Sequence, residues 1–121
     1  MKIFLDTAVY EDIEKANQSG LIDGVTTNPS LILKSGGDPV ETIRRISGDF
    51  PFFESISAEV VAEEAMQMVE QAQAFKDMQN VTIKVPLTVE GLKACKLLST
   101  DGFTVNLSLI HISEPTRLST I

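Results

Sequence analysis

The chain has 121 residues, of which 43% are hydrophobic and 22% are charged, and its formal net charge is −7. This composition predicts a globular domain with a hydrophobic core and excludes a chain that is disordered throughout. The excess of acidic side chains disfavours nucleic acid as a partner, because phosphate backbones are bound by clustered Lys and Arg.

Short apolar or β-branched runs alternate with longer stretches of helical spacing along the chain. This alternation is typical of β-α-β units built around a parallel sheet, so we predict an α/β fold. The predicted strands are residues 2–6, 22–27, 55–60 and 81–85, and a fifth strand begins near Phe103.

Helical stretches follow the first four of these strands. The first helix is predicted at about residues 9–19, the second lies beyond Pro29 and is divided near residues 36–39, and the third covers about 62–75. Two hydroxyl residues are expected to cap helices, Ser30 after Pro29 and Thr88 after the fourth strand.

Alternate residues of a strand share one face, so sequence parity predicts which side chains meet. Each strand carries one apolar row, which we expect to pack against helices, and one row that ends in polar groups. Parallel α/β folds place their functional sites at the carboxyl ends of strands. The candidate site residues at these strand ends are Asp6, Asn28, Glu59 and Lys84, and the same row also carries Thr26, Ser57 and Thr82.

Most of these residues also have a structural explanation when each is taken alone. Asp6 follows a strand and is equally well explained as a cap for the next helix, and Asn28 before a proline is typical of a turn. Glu59 alone fits a solvated strand end. Lys84 lies inside a strand whose two faces are normally buried, so its ammonium group is either paired or neutral, and a neutral lysine can attack a carbonyl. From the residues alone, a functional and a structural role for Lys84 both stay open.

The single cysteine and the amino-terminal residues bear on the compartment. Cys95 excludes an internal disulfide framework and favours a reducing compartment, for which the cytoplasm fits best. The first apolar run ends at Asp6, so we expect neither a signal peptide nor a membrane span there.

Four motifs occur in order at predicted strand ends, and together they resemble those of the transaldolase family. They are Phe-Leu-Asp-Thr-Ala at 4–8, Gly-Val-Thr-Thr-Asn-Pro-Ser at 24–30, Ser-Ala-Glu-Val at 57–60 and Ile-Lys-Val-Pro at 83–86. The resemblance covers residues 1 to about 106, and it includes the short transaldolases and the related fructose-6-phosphate aldolases.

The resemblance implies a TIM (β/α)8 barrel, of which this chain carries about the first four βα units and a fifth strand. It further implies transfer of a dihydroxyacetone unit between sugar phosphates through a Schiff base, as in the pentose phosphate pathway, without a metal or an organic cofactor. The implied substrates are fructose 6-phosphate, sedoheptulose 7-phosphate, erythrose 4-phosphate and glyceraldehyde 3-phosphate, and the implied full-length form is a homo-oligomer.

The resemblance also assigns roles to individual residues. Lys84 matches the Schiff-base lysine, Asp6 matches the acid/base carboxylate, and Glu59 matches the carboxylate that helps hold the catalytic water. The residues that match contacts to the bound donor are Asn28, Asn106 and, more weakly, Thr26. No residue is expected to bind a metal.

Two alternatives to a transaldolase stay open. Fructose-6-phosphate aldolases resemble this chain but carry Gln at the position of Glu59, which favours a transaldolase here. A flavodoxin-like phospho-receiver is an alternative of another class that fits the length. Such a module needs a phosphorylatable Asp after strand three and a lysine on strand five, whereas this chain has Glu59 and a strand-four lysine at those points.

The last residues differ from the family pattern. Residues 107–117 resemble the in-frame translation of a transposase-based sequencing adapter, so we divide the chain into the amino-terminal half of a barrel, 1–106, and an artefactual tail, 107–121. The only histidine, His111, lies in that tail and is given no catalytic role. We expect a chain with half of the barrel to be inactive and marginally soluble.

Overall fold

Five parallel strands form one sheet in the computed structural model, which describes residues 1–34 and 36–108. The predicted tail beyond residue 108, with His111, lies outside the described residues. The strands are β1 (Phe4–Asp6), β2 (Gly24–Thr26), β3 (Ser55–Glu59), β4 (Val81–Pro86) and β5 (Thr104–Ser108). The strand β5 therefore runs two residues beyond the predicted boundary at residue 106.

The helices connect consecutive strands as the alternation predicts. They are α1 (Tyr10–Gln18), α2 (Pro29–Lys34), α3 (Pro39–Asp49), α4 (Ala65–Ala72) and α5 (Val89–Thr100), with a 3₁₀ turn over Gln73–Phe75 after α4. Within the described ranges, no helix is both long enough and apolar enough to cross a membrane.

The strand order is β1-β2-β3-β4-β5, and each strand pairs in parallel with the next one along the chain. A parallel sheet in which each strand lies beside the next one along the chain is part of a TIM barrel, whereas a flavodoxin-like sheet has the strand order 2-1-3-4-5. The order therefore confirms the partial barrel and is incompatible with the phospho-receiver alternative.

The hydrophobic core lies between the sheet and the helices. The apolar row of the central strands is fully buried, with no exposed surface on Val25, Ile56, Ala58, Ile83 or Val85. The helices supply the other side of this core, and their largest fully buried side chains are Ile13, Ile32, Ile46, Met68 and Leu98. The prediction that one row of each strand packs against helices is thus confirmed for β2, β3 and β4.

The first two strands are shorter than the sequence predicts, because a side chain takes over the pairing at their start. The backbone N–H of Asp23 donates to the carbonyl oxygen of Ile3 at 2.7 Å, but the N–H of Ile3 donates to the carboxylate of Asp23 at 2.8 Å. The regular ladder begins only at Phe4 and Gly24.

The helix α4 begins at Ala65 rather than at the predicted residue 62. The N–H groups of Val61 and Ala62 both donate to Oε1 of Gln71, at 3.0 and 3.2 Å, so they are bonded outside the helical pattern. The buried side chains of this helix are Ala65, Met68 and Ala72.

The other helix starts follow ordinary capping chemistry. Asp38 caps α3 by accepting from the N–H of Glu41 at 2.9 Å, with Pro39 in the first turn. Thr88 caps α5 by accepting from the N–H of Gly91 at 3.0 Å, as predicted.

Candidate active site

Two rows of polar side chains cross the sheet on the face opposite the helices. The strand register places Glu59 beside Lys84, and Lys84 beside Asn106. We call these three residues the lysine row. A second row lies two residues earlier on β3, β4 and β5 and continues onto β2 and β1. We call it the hydroxyl row. Each of its residues is the register partner of the next, and they are Asp6, Thr26, Ser57, Thr82 and Thr104.

Burial varies along these rows because the outer strands β1 and β5 each pair on one side only within the described residues. Lys84 and Glu59, on the central strands, are half-buried, whereas Asp6 and Asn106 are exposed. In the hydroxyl row, Ser57 keeps only 5% of its surface and Thr82 only 8%. The polar face is thus most buried at Ser57 and Thr82, two residues before Glu59 and Lys84 on their strands.

The hydroxyl row is hydrogen-bonded across three pairs of strands. The Thr26 hydroxyl donates to the carboxylate of Asp6 at 2.9 Å. Ser57 and Thr27 form a reciprocal pair, in which the Thr27 N–H donates to the Ser57 hydroxyl at 2.9 Å and the Thr27 hydroxyl donates to the Ser57 carbonyl oxygen at 2.7 Å. The hydroxyls of Ser55 and Thr82 lie 2.6 Å apart.

Sequence reasoning missed Thr27 and Ser55 and gave Ser57 and Thr82 no role. A barrel interior is usually filled by bulky branched residues, so a run of small hydroxyl residues at one level is a departure from that pattern. Ser57, Thr82 and Thr104 each precede a member of the lysine row by two residues, so aligning these three strands at Glu59, Lys84 and Asn106 would have revealed this part of the row.

Asp6 does not act as a cap, although the sequence allowed that explanation. The residue that precedes α1 is Val9, which makes no side-chain capping bond, and the N–H of Val9 itself donates to the Thr7 hydroxyl at 3.1 Å. The hydrogen bond from Thr26 is the one that the Asp6 carboxylate makes among the described residues. Its position is therefore better explained by the polar face than by the helix.

Asn28 has the structural role that the sequence assigned to Ser30. The Asn28 side-chain oxygen accepts from the N–H of Ser30 at 2.8 Å, and its carbonyl oxygen accepts from the N–H of Ile32 at 3.1 Å. Asn28 thus caps α2, and the prediction of a Ser30 cap is wrong because α2 already begins at Pro29. The side-chain amide NH2 of Asn28 is not used in this cap.

A cleft of about 400 Å³ lies at the carboxyl end of β3, between that strand end and residues of α2, α3 and α4. Its walls are mainly apolar, and Val60, Val61 and Phe75 contribute to them. Glu59 also lines this cleft, whereas Lys84 and Asp6 do not.

The Lys84 amine and the Glu59 carboxylate are register partners on the polar face of the sheet. A second carboxylate, that of Asp6, lies on the same face in the hydroxyl row. An amine of this kind can add to a carbonyl, and neighbouring carboxylates can move protons and stabilise an iminium cation. Within residues 1–34 and 36–108, no group of three or more His, Cys, Asp or Glu side chains is placed to hold a metal ion.

Parallel strands in sequential order, with polar groups at their carboxyl ends, define part of a TIM barrel, a fold whose active sites lie at that end. Residues 3–118 match the model of a family described as Transaldolase/Fructose-6-phosphate aldolase. The chain therefore belongs to the transaldolase/fructose-6-phosphate aldolase family.

Curated relatives agree with this assignment. The chain is similar to proteins named probable transaldolase from Brucella anthropi, with 50% identity over 120 residues, and from Roseobacter denitrificans, with 49% identity over 120 residues. A probable transaldolase from Sinorhizobium medicae is 50% identical over 122 residues. Each alignment covers 98% of this chain but 54% of the relative, so the chain spans about half the length of these proteins.

Proposed function

We propose that this chain is the amino-terminal part of a transaldolase that transfers a dihydroxyacetone unit between sugar phosphates through a Schiff base on Lys84. The lysine row carries the proposal, because it sets Glu59 and Asn106 on either side of Lys84. The proposed activity belongs to the longer protein, since the relatives are about twice as long as this chain.

The proposed chemistry uses each residue of the site in turn. The Lys84 amine adds to the ketone carbon of the donor, and the adduct loses water to give an iminium ion. Asp6 accepts the proton of a donor hydroxyl while that oxygen becomes the carbonyl of the departing aldehyde. The electron pair of the broken carbon–carbon bond moves into the iminium, which becomes an enamine, and the enamine then attacks the acceptor aldehyde.

The remaining residues hold the catalytic water or bind the donor sugar in this proposal. Glu59 helps hold the water that is released on iminium formation and used again for its hydrolysis. Asn28 and Asn106 contact hydroxyls of the donor, and Thr26 lies at the level of Asp6. The acceptors proposed are erythrose 4-phosphate and glyceraldehyde 3-phosphate, and the donors are fructose 6-phosphate and sedoheptulose 7-phosphate.

Covalent trapping tests the central assignment. The full-length protein, expressed from the complete reading frame, is incubated with fructose 6-phosphate and borohydride, and the modified residue is located by peptide mass spectrometry. We expect an adduct on Lys84 that is lost in Lys84→Arg and kept in the matched control Lys96→Arg, on an exposed position of α5. An adduct that persists in Lys84→Arg contradicts the proposal.

The fructose-6-phosphate aldolase alternative shares the Schiff base and differs in the fate of the enamine. Glu59, in place of the glutamine typical of the aldolases, favours transfer. With fructose 6-phosphate alone we expect little release of free dihydroxyacetone, and with erythrose 4-phosphate added we expect rapid formation of sedoheptulose 7-phosphate. Release of dihydroxyacetone that does not depend on the acceptor would favour the aldolase.

Three further expectations belong to this proposal. The full-length protein works in the cytoplasm and assembles as a homo-oligomer. The 121-residue chain gives no turnover, because it covers 54% of the length of its relatives. The division at residue 106 also stays a proposal, since the family match runs to residue 118 and does not separate a tail from the barrel half.

A further inference from the structure

The contact between Thr26 and Asp6 is the one side-chain hydrogen bond that joins β1 to β2 within their paired residues. The Thr26 hydroxyl Oγ1 lies 2.9 Å from Oδ1 of Asp6, and the two residues are register partners. Directly beyond them, the N–H of Thr7 donates to the carbonyl oxygen of Thr26 at 3.1 Å. The two strands are therefore held together by backbone and side chain at the level of the carboxylate.

A threonine hydroxyl has one proton to donate, and here it is donated to Asp6. Thr26 is also β-branched, so its side chain has few alternative rotamers in a strand. The hydroxyl cannot donate to a sugar oxygen and to Asp6 at the same time. We propose that Thr26 is a positioning residue that orients the Asp6 carboxylate for proton transfer and does not donate a hydrogen bond to the donor sugar.

The geometry leaves one oxygen of Asp6 for the reaction. Oδ1 accepts from Thr26, while Oδ2 has no hydrogen-bond partner among residues 1–34 and 36–108. Asp6 is exposed on an outer strand of the described sheet, so its packing restrains it little. Orientation by a fixed hydroxyl therefore matters more here than it would for a buried carboxylate, because an efficient general base must hold its lone pair toward the proton that it accepts.

This inference rests on the proposed function, in which Oδ2 of Asp6 takes the hydroxyl proton of the donor during carbon–carbon cleavage. Schiff-base formation on Lys84 precedes that step. Loss of the Thr26 hydroxyl is therefore expected to slow cleavage and to leave donor binding and Schiff-base formation unchanged. A contact to the donor sugar would have the opposite signature.

The test compares two variants of the full-length protein, Thr26→Val and Thr26→Ser. Valine keeps the branched shape and removes the hydroxyl, whereas serine keeps the hydroxyl. We expect Thr26→Val to lower kcat by roughly tenfold or more. The donor concentration that gives half-maximal borohydride trapping on Lys84 is expected to stay unchanged. Thr26→Ser is expected to retain kcat within about threefold, because it can still donate to Asp6.

A double-mutant cycle with Asp6→Asn identifies the residue through which Thr26 acts. If Thr26 acts through Asp6, adding Thr26→Val to Asp6→Asn lowers kcat no further, because the oriented carboxylate is already lost. Independent effects of the two substitutions, or weaker donor-dependent trapping in Thr26→Val, would overturn the inference. Circular dichroism checks that each variant is folded, and Thr26→Ala replaces Thr26→Val in the cycle if the valine variant is not.

The two proposals fail in distinguishable ways. Absence of a Lys84 adduct in the unmodified protein contradicts the proposed function itself. An intact Lys84 adduct together with independent effects of Thr26 and Asp6 contradicts only the positioning role.

Discussion

The backbone of Gly91 lies so close to the carbonyl of Pro86 that a β-carbon on Gly91 would stand 1.7 Å from the Pro86 oxygen. This approach closes the tight turn from β4 into α5, where the N–H of Thr88 donates to the same oxygen at 2.9 Å. Because Pro86 follows Lys84 by two residues, the turn also fixes the end of the strand that carries the lysine.

Substitution of Gly91 is expected to be costly. In Gly91→Ala the added methyl group meets backbone rather than a flexible side chain, so the turn must open, and we expect a loss of at least about 2 kcal/mol in the free energy of unfolding. The matched control is Gly48→Ala on α3, where a β-carbon meets no atom within 4 Å. That substitution should stabilise the chain by about 0.5–1 kcal/mol, because alanine favours a helix over glycine. Urea unfolding measures both changes, and equal effects would contradict the close approach.

The two functions assigned to Asn28 can be separated by substitution. Asn28→Ala removes the oxygen that caps α2, and we expect it to lower the free energy of unfolding by about 1 kcal/mol. Asn28→Asp keeps a capping oxygen and replaces the amide NH2 by a second carboxylate oxygen, whose negative charge is favourable at a helix N-terminus, so it should unfold at no lower a urea concentration than the unmodified chain.

The same pair of variants tests the proposed donor contact in the full-length protein. Because Asn28→Asp removes the one donor group of the side chain, we expect KM for fructose 6-phosphate to rise by roughly tenfold, as loss of a single hydrogen bond would do. An unchanged KM in Asn28→Asp would leave Asn28 with the capping role alone.

Glu90 makes the stability of the fold depend on pH. Its carboxylate accepts from the N–H of Ala65 at 3.1 Å and pairs with Lys93 at 3.0 Å, and these contacts, the Ala65 bond first, lower the pKa of Glu90 below its ordinary value of 4.5. A lowered pKa in the folded state means that the contribution is fully present above the unfolded value and is lost as the pH falls through the folded value. On acidification, the free energy of unfolding of Glu90→Gln should therefore fall less than that of the unmodified chain.

The measurement is urea unfolding at a series of pH values from about 7 to about 3. Glu70→Gln on the exposed side of α4 removes the same charge from a neighbouring helix and serves as the control. If the curves of Glu90→Gln and Glu70→Gln fall in parallel on acidification, the contact to Ala65 does not have the predicted effect.

Strand parity predicted the polar face well, because the period of two is imposed by the backbone and does not depend on the neighbours. It placed Thr26, Glu59 and Lys84 on one face, and the register confirms that they share it, since Thr26 lies beside Ser57 and Glu59 beside Lys84. Parity within one strand cannot give the offset between strands, so it left open whether Lys84 lies beside Glu59 or beside Ser57.

The polar side chains near element ends were harder to predict, because several local partners compete for them. Asn28 rather than Ser30 caps α2, and Asp23 and Gln71 bond to backbone groups that were predicted to lie in a strand and a helix. The Asn28 cap is a choice between neighbours, but Asp23 reaches Ile3 across 20 residues and Gln71 reaches Val61 across 10, so these two contacts depend on the fold. The sequence shows which side chains could bond to each backbone group, but it does not show which of them does.

The complete burial of Ile83 and Val85 also determines which groups face Lys84. If β4 slid by one residue along β3, these two side chains would turn to the polar face and Lys84 would enter the hydrophobic core, at a cost that includes burial of a charge. Packing of Ile83 and Val85 against the helices thus disfavours a shifted register of β4. It keeps the Lys84 amine beside Glu59, although this packing lies on the face of the sheet opposite to the polar rows.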